Sequence, residues 1–274
     1  MTLETSARRV KFAGGHEGVE LAGIIDAPTF RPPDGPVAVF AHCFTCNKDF
    51  KATVRISRAL AACGVSVLRF DMRGLGGSSG RFADSNFTTN LEDLAAAIRF
   101  ARSELGEVTA LLGHSFGGLA ALVTASKASD SDATLPLAEL GFVATLAAPS
   151  DTHHLATLLL RLAPTIESEG VGTVTIGGIS WEIARQMVDD FLSHDVTVAL
   201  PKIACPVLLM HSPEDQTVLF DHALRLMSLI QQRESAIHPV SLVSLDGADH
   251  LLVKNSRDLE FAAGVLSTWC ERYG

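Results

Sequence analysis

Short runs of continuous apolar residues recur along this chain and constrain its fold more than any other feature. They read PVAVFA, VSVLRF, VTALLG, FVATLA, PVLLM and VSLVSL, at 36–41, 65–70, 108–113, 142–147, 206–210 and 240–245. Strands with one exposed face alternate apolar and polar residues, whereas strands that are covered on both faces produce runs such as these. The sequence therefore predicts a mostly parallel sheet with helices packed on both faces.

Helical patterns occupy the intervals between these runs. Thr89-x-x-Glu92 is interpreted as a capping box, and the apolar residues that follow it recur at helical spacing. Similar patterns predict helices at 52–63, 116–128, 219–232 and 257–271. Strands that alternate with helices predict a doubly wound α/β fold. The glycines and alternating residues of 7–27 predict an antiparallel hairpin at the edge of the sheet.

One segment, residues 150–204, is too long for a single crossover connection. It is expected to hold a helix near 154–163, a glycine-rich hairpin at 170–180 and a second helix carrying Ile183, Met187 and Phe191. A segment of this size has too few residues to bury a core of its own. We therefore interpret it as a small cap inserted into a single α/β domain of residues 1–274.

The composition limits the classes of partner. Of the 274 residues, 47% are hydrophobic and 19% are charged, which allows a sizeable core and argues against disorder. The net charge of −9 repels phosphate backbones, so nucleic acid is not expected as a partner. The chain has no run of about 18 apolar residues, so we expect no membrane span. The N-terminal MTLETSARRVKF lacks the apolar centre of a signal peptide, so we expect a cytoplasmic protein. No pattern indicates the oligomeric state.

The segment LLGHSFGG (111–118) carries the strongest chemical signal. Gly113-His114-Ser115-Phe116-Gly117 matches the G-x-S-x-G nucleophile elbow, at a place where an apolar run ends and a helix is predicted to begin. The glycines leave room for the close approach of backbone segments, and the turn lifts the serine hydroxyl clear of the sheet. The motif predicts that Ser115 is a nucleophile; the alternative is a serine that caps a helix in a glycine turn.

A serine nucleophile requires a base and a residue that orients the base. With an elbow of this kind, the acid and the histidine follow the serine in that order along the chain. Asp215 comes after PVLLM and His250 comes after VSLVSL, so both are expected to reach Ser115. Glu214 is the competing carboxylate, and Asp249 is interpreted as a turn residue.

The stretch VFAHCFTCNKDF (39–50) is expected to supply half of an oxyanion hole. Folds with such an elbow take one main-chain donor from the loop that follows another strand of the sheet. Here that strand contains VFA, and we expect it to lie two positions from the elbow strand. The order His42-Cys43-Phe44 makes the N–H of Phe44 the candidate donor, and the N–H of Phe116 is the second. Two such donors stabilise the negative oxygen of a tetrahedral intermediate.

Cys43 and Cys46 have the C-x-x-C spacing of a redox dithiol, which also follows a strand at the start of a helix. The five cysteines are scattered, and no second pair completes a zinc site. Such a distribution argues against a disulfide framework and for a reducing compartment. We therefore interpret both thiols as bystanders in the oxyanion loop, and a redox-responsive role stays open as the alternative.

With these residues, the chain resembles the α/β-hydrolase superfamily over nearly its whole length. The segments FAHCFTCNKD, LRFDMRGLGGSSG, NFTTNLEDL, GHSFGG and SLDGADHLL are similar, more narrowly, to the hydrolase domain that is fused to an OsmC domain in bifunctional bacterial proteins. The resemblance implies an α/β-hydrolase fold, a bacterial serine hydrolase and catalytic roles for Ser115, Asp215 and His250. It also implies that Asp71 and Arg73 brace the loop beneath the site. The sequence ends without an OsmC domain, so a stand-alone member or the hydrolase part of a longer protein is expected.

These observations predict a serine esterase that acts through an acyl-enzyme and uses no metal or organic cofactor. The apolar cap predicts that the substrate is a small-molecule ester with an apolar acyl or alcohol group. We expect its pocket to be lined by His42, Cys43, His114, Trp181 and Met187. A thioesterase or a small peptidase with the same triad is an alternative. A non-catalytic binding module on the same fold is another, although neither the serine nor the histidine is missing.

Overall fold

The computed structural model describes residues 3–32, 34–128, 135, 137, 140–233 and 238–274. Its strands are β1 (Thr5–Ala13), β2 (Glu20–Pro28), β3 (Val37–Ala41), β4 (Ser66–Phe70), β5 (Ala110–His114), β6 (Phe142–Leu146), β7 (Val171–Ile176), β8 (Ile179–Ala184), β9 (Val207–His211) and β10 (Val240–Ser244). In the described part of the chain, one sheet has the order β1-β2-β4-β3-β5-β6-β9-β10. Its pairs from β4 to β10 are parallel, and β1 and β2 add an antiparallel edge. The predicted parallel sheet and N-terminal hairpin are confirmed.

The strand before the proposed oxyanion loop lies directly beside the elbow strand. Strand β3 pairs with β4 on one side and with β5 on the other, and Ala41 lies opposite Gly113. The expected separation of two strand positions is therefore wrong. The chain crosses from β3 to β4 in one direction and then returns past β3 to β5, so the winding reverses there. This reversal brings the carboxyl ends of β3 and β5 side by side.

The helices are α1 (Lys51–Ala62), α2 (Phe87–Leu105), α3 (Phe116–Ala125), α4 (His153–Leu162), α5 (Thr165–Glu169), α6 (Arg185–Ser193), α7 (Asp221–Gln231) and α8 (Ser256–Tyr273). The helices predicted from apolar spacing correspond to α1, α3, α7 and α8, with ends displaced by a few residues. Within the described residues, none of the helices is long and apolar enough to cross a membrane.

Helix α2 begins one turn earlier than the expected capping box. Asn86 is the N-cap: its side chain accepts the N–H of Thr89 at 2.8 Å, and the Thr89 hydroxyl accepts the N–H of Asn86 at 2.8 Å. The reciprocal bonds expected of Thr89 and Glu92 are thus made by Asn86 and Thr89. Asp190 of α6 accepts the N–H of Phe87 at 2.8 Å, so the cap segment helps to set where α2 starts.

The helices cover both faces of the sheet, as the uninterrupted apolar runs predict. Helices α1 and α8 pack on Phe40 and Leu112, whereas α2, α3 and α7 belong to the core that contains Val39 and Leu111. Each of these strand residues is fully buried. Neighbouring residues of one strand therefore enter opposite cores, which explains why the runs lack alternation.

Residues 150–204 contain α4, α5, the β7–β8 hairpin and α6. Strand β8 continues to Ala184 and α6 begins only after it. The placement of Ile183 in the second cap helix is therefore wrong, because this residue belongs to the strand. Ile183, Met187 and Phe191 are nevertheless buried, in the same core as α2 and α3. The cap residues thus share the core on this face of the sheet.

Candidate active site

Ser115 occupies a strained turn between β5 and α3. Its φ of 53° and ψ of −123° lie outside the regions that residues other than glycine ordinarily adopt. A Cβ on Gly113 would collide with the main chain of α3, and a Cβ on Gly117 would collide with the carbonyl oxygens of Ala41 and His42. The glycines of the motif therefore permit the turn and also let the end of β3 pack against it.

A continuous chain of hydrogen bonds joins Ser115, His250 and Asp215. His250 Nε2 lies 2.9 Å from Ser115 Oγ, and His250 Nδ1 lies 2.7 Å from Asp215 Oδ2. An ionised carboxylate only accepts hydrogen bonds, so Nδ1 carries the hydrogen. Nε2 is then left to accept the hydrogen of the serine hydroxyl. The structure thus brings together the three residues that the sequence predicts to meet.

Asp215 is almost completely buried, with 2% exposure. Its Oδ1 accepts the N–H groups of Thr217 and Val218 at 2.8 and 3.0 Å. Burial acts to raise the pKa of Asp215. The hydrogen bond and charge interaction with His250, together with these two N–H groups, outweigh burial and bring the pKa below its ordinary value. The carboxylate therefore stays ionised at neutral pH.

The competing acidic residues have other partners. Glu214 Oε2 accepts the N–H of Gly247 at 2.9 Å, which ties the loop after β9 to the loop after β10. Asp249 Oδ1 accepts the N–H groups of Val253 and Lys254 at 3.0 and 2.8 Å, as its interpretation as a turn residue requires. Glu214 therefore supports the loop that carries the histidine without taking the place of Asp215.

His42 fixes the peptide group that contains the N–H of Phe44. His42 Nδ1 donates to the carbonyl of Cys43 at 2.8 Å, and its Nε2 accepts the N–H of Met72 at 3.1 Å. The Cys43 carbonyl and the Phe44 N–H belong to one planar unit, so the direction of one sets that of the other. Among the described residues, the N–H groups of Phe44 and Phe116 have no hydrogen-bond partner. Both are free to bind a negatively charged oxygen.

Charged side chains anchor the far end of this loop. Asp71 accepts the main-chain N–H and the Nζ of Lys48 at 2.6 and 2.7 Å. Arg69 donates to the carbonyl of Lys48 at 2.8 Å. Arg73 pairs with Asp93 of α2 at 2.8 Å. Asp71 thus braces the loop after β3, and Arg73 ties the segment after β4 to α2, in line with the sequence interpretation.

Cys43 and Cys46 are joined by a disulfide, which the sequence does not predict. The two residues end a tight turn in which the N–H of Cys46 donates to the carbonyl of Cys43 at 3.1 Å. Thr45, inside the turn, has a left-handed φ of 60°. The interpretation of two free bystander thiols is therefore corrected, because the turn brings both sulfurs together. Among the described residues, no three His, Cys, Asp or Glu side chains converge as a metal site requires.

Phe44 and Trp181 are the partly exposed members of an aromatic cluster beside the elbow. Phe82 contacts both, with ring centroids at 5.3 and 4.8 Å, and Phe44 lies 5.7 Å from Phe116. The Nε1 of Trp181 is buried and has no hydrogen-bond partner within the described residues. Met187, also expected in the pocket, is instead fully buried in the core.

The remaining residues expected in the pocket, His42, Cys43 and His114, make interior contacts. Cys43 and His42 are 4% and 3% exposed and belong to the turn described above. His114 is fully buried, and its Nε2 lies 2.8 Å from the main-chain carbonyl of His250. Sequence reasoning missed this contact. The one available signal is the position of His114 directly before Ser115, at the end of a buried strand.

The sequence matches the Alpha/beta hydrolase family over residues 38–263. No curated protein sequence matches it significantly. Among solved structures, it is similar to the esterase domain of a Rhodothermus marinus protein, with 36% identity, a TM-score of 0.73 and coverage of 98% of this chain and 99% of that one. Its fold is also similar to that of Est1E from Butyrivibrio proteoclasticus with ferulic acid bound, at 21% identity, a TM-score of 0.79 and coverage of 96% and 98%. The chain belongs to the alpha/beta hydrolase family.

Proposed function

We propose that this chain is a serine hydrolase that cleaves carboxylic esters through an acyl-enzyme. The observation that carries the proposal is the hydrogen-bond chain from Ser115 Oγ through His250 to the buried Asp215. The 36% identity to an esterase domain, over nearly the whole of both chains, supports an ester as the substrate. The motifs shared with OsmC-fused hydrolases support a bacterial member of that group.

In the proposed reaction, Ser115 Oγ attacks the ester carbonyl carbon while His250 Nε2 takes the hydroxyl proton. Asp215 holds the ring through Nδ1–H and stabilises the imidazolium that forms. The N–H groups of Phe44 and Phe116 donate to the oxyanion of the tetrahedral intermediate. The intermediate collapses, His250 passes its proton to the departing alcohol, and the acyl group stays on Ser115. Water then attacks the acyl carbon while His250 takes its proton; the second tetrahedral intermediate collapses, His250 returns the proton to Ser115 Oγ, and the acid is released.

The substrate class is proposed from the surroundings of Ser115. Phe44 and Trp181 give the site an apolar wall, and the apolar cap lies over the same side of the sheet. We therefore assign an ester of modest size with an apolar acyl or alcohol group. Thioesters and small peptides react by the same sequence of steps, so the experiment compares them directly.

The experiment is hydrolysis of p-nitrophenyl esters of graded acyl length, beside a thioester and an anilide of the same acyl group. Ser115→Ala should lower kcat/KM by a factor of about 10⁴–10⁶. Ser126→Ala is the matched control, because this buried serine follows α3 and its hydroxyl is satisfied by the carbonyl of Val123 at 2.7 Å. It should keep wild-type activity. An active Ser115→Ala would contradict the proposed nucleophile, and faster cleavage of the thioester or anilide would contradict the ester assignment.

A further inference from the structure

His114, directly before Ser115, makes a contact that takes no part in the proton transfers of the proposed reaction. Its ring is fully buried at the carboxyl end of β5. Its Nε2 lies 2.8 Å from the main-chain carbonyl oxygen of His250. The ring stacks on Phe50 at a centroid distance of 6.0 Å and lies 5.5 Å from the ring of His250. The residue before the nucleophile thus touches both the backbone and the ring of the proposed base.

The neutral ring of His114 carries its hydrogen on Nε2. A carbonyl oxygen only accepts hydrogen bonds, so Nε2 is the donor. Nδ1 is buried and has no hydrogen-bond partner in the described part of the chain. Burial, followed by charge repulsion between protonated rings of His114 and His250, lowers the pKa of His114 to about 4; His42 adds to this effect, whereas the hydrogen bond to the His250 carbonyl and the charge of Asp215 oppose it. The ring is therefore neutral at neutral pH, with Nε2–H as a fixed donor.

The proposed base lies in a loop outside the helices and strands, and the side-chain bonds of Glu214 and Asp249 hold the residues on either side of it. His250 lies between β10 and α8, and Leu252 in the same loop has a left-handed φ of 55°. Asp215 holds the ring of His250, and His114 holds its main chain. His114 and Ser115 are consecutive, so one strand end carries both the nucleophile and the donor that holds the base. A shift of the loop relative to this strand end would lengthen the bond between His250 Nε2 and Ser115 Oγ.

We propose that His114 is a positioning residue: its Nε2–H ties the main chain of His250 to the elbow and keeps His250 Nε2 within reach of Ser115 Oγ. The inference rests on the proposed serine hydrolase mechanism. It gives a specific role to the second residue of the G-x-S-x-G motif, a position that the consensus leaves open.

Two variants separate the donor from the ring. His114→Phe keeps an aromatic ring against Phe50 and removes the donor, whereas His114→Gln keeps an N–H near the position of Nε2. For a short p-nitrophenyl ester, His114→Phe should lower kcat by about 10²-fold with little change in KM, because a small misplacement of a reacting group has that effect. His114→Gln should recover most of kcat. The rate at which a fluorophosphonate labels Ser115 should fall and recover in parallel.

Phe50→Leu is the matched control. It alters the packing on the face of the His114 ring without removing the hydrogen bond to His250. We expect it to lower the melting temperature while kcat stays near the wild-type value. If His114→Phe does not fold, His114→Asn replaces it, because its shorter amide cannot reach the His250 carbonyl.

Wild-type kcat and wild-type labelling in a folded His114→Phe would overturn the inference. Losses of kcat that are equal in His114→Phe and His114→Gln, and that follow the loss of thermal stability in each variant, would assign His114 to packing alone. That result would also overturn the inference. Failure of the proposed function is a separate result: wild-type protein would then not be labelled at Ser115 at all.

Discussion

Cys43 and Cys46 form a disulfide across the turn that holds Phe44, whose N–H is proposed to bind the oxyanion. Other bonds hold the same turn from outside. His42 fixes the carbonyl of Cys43 at 2.8 Å, and Asp71 fixes the main chain of Lys48 at 2.6 Å. The peptide between Cys43 and Phe44 is therefore oriented by hydrogen bonds that do not depend on the disulfide.

Reduction of this disulfide should change activity little. The measurement is kcat/KM for a short-chain ester before and after treatment with excess dithiol. We expect a change far smaller than the roughly 10²–10³-fold loss of rate that follows removal of one oxyanion donor. The denatured protein should show three thiols before reduction, because Cys63, Cys205 and Cys270 are free. It should show five afterwards, the number of cysteines in the chain.

Cys46→Ser tests the same point without a reductant. This variant cannot form the disulfide, and it should keep most activity under all conditions. A large, reversible loss on reduction, which Cys46→Ser reproduces permanently, would contradict the expectation. That result would make the disulfide a regulatory element of the oxyanion loop and would support the redox-responsive alternative.

Asp215→Asn should lower kcat by about 10³–10⁴-fold and leave the fold intact. An amide can donate to His250 Nδ1, which favours the tautomer with its hydrogen on Nε2, and that tautomer cannot take the proton of Ser115. Glu214→Gln is the matched control, because the amide oxygen can still accept the N–H of Gly247. Circular dichroism and steady-state kinetics on both variants are the measurements. A larger loss in Glu214→Gln than in Asp215→Asn would show that the other carboxylate orients the base.

Acidification should destabilise the folded protein, because His114 is buried in its neutral form. Folding lowers the pKa of this ring from 6.5 to about 4, so between these values the unfolded chain binds more protons than the folded one. Stability therefore falls as the pH drops through this window, by at most about 1.4 kcal/mol per pH unit for this group.

His114→Phe lacks this contribution. The difference in unfolding free energy between wild type and His114→Phe should therefore shrink as the pH falls from 7 to 4. Urea unfolding at a series of pH values measures it. A constant difference across the window would show that the His114 ring is not held neutral by burial.

The central fold was predictable because strands that are buried on both faces have continuous apolar sequences. Val39 and Phe40 face opposite cores, so the run that contains them has no polar residue. Parallel strands end at one edge of a sheet, so the order of elbow, acid and histidine predicts that Ser115, Asp215 and His250 meet.

Other features depend on partners that are distant in sequence. Asn86 and Thr89 both suit a helix start, and Asp190 of the cap bonds the first N–H of α2. The C-x-x-C spacing fits a dithiol, a ligand pair or a plain loop, and the turn at Thr45 brings the sulfurs together. Likewise, nothing in a G-x-S-x-G pattern indicates which group its second residue contacts.

The most direct test of Ser115 as the nucleophile is the site of covalent labelling by a fluorophosphonate, mapped by peptide mass spectrometry on the native protein. We expect one modified residue, Ser115, with labelling that is slow in Asp215→Asn and absent in Ser115→Ala. Labelling that maps to another residue, or that persists in Ser115→Ala, would contradict the claim that Ser115 is the nucleophile of this hydrolase.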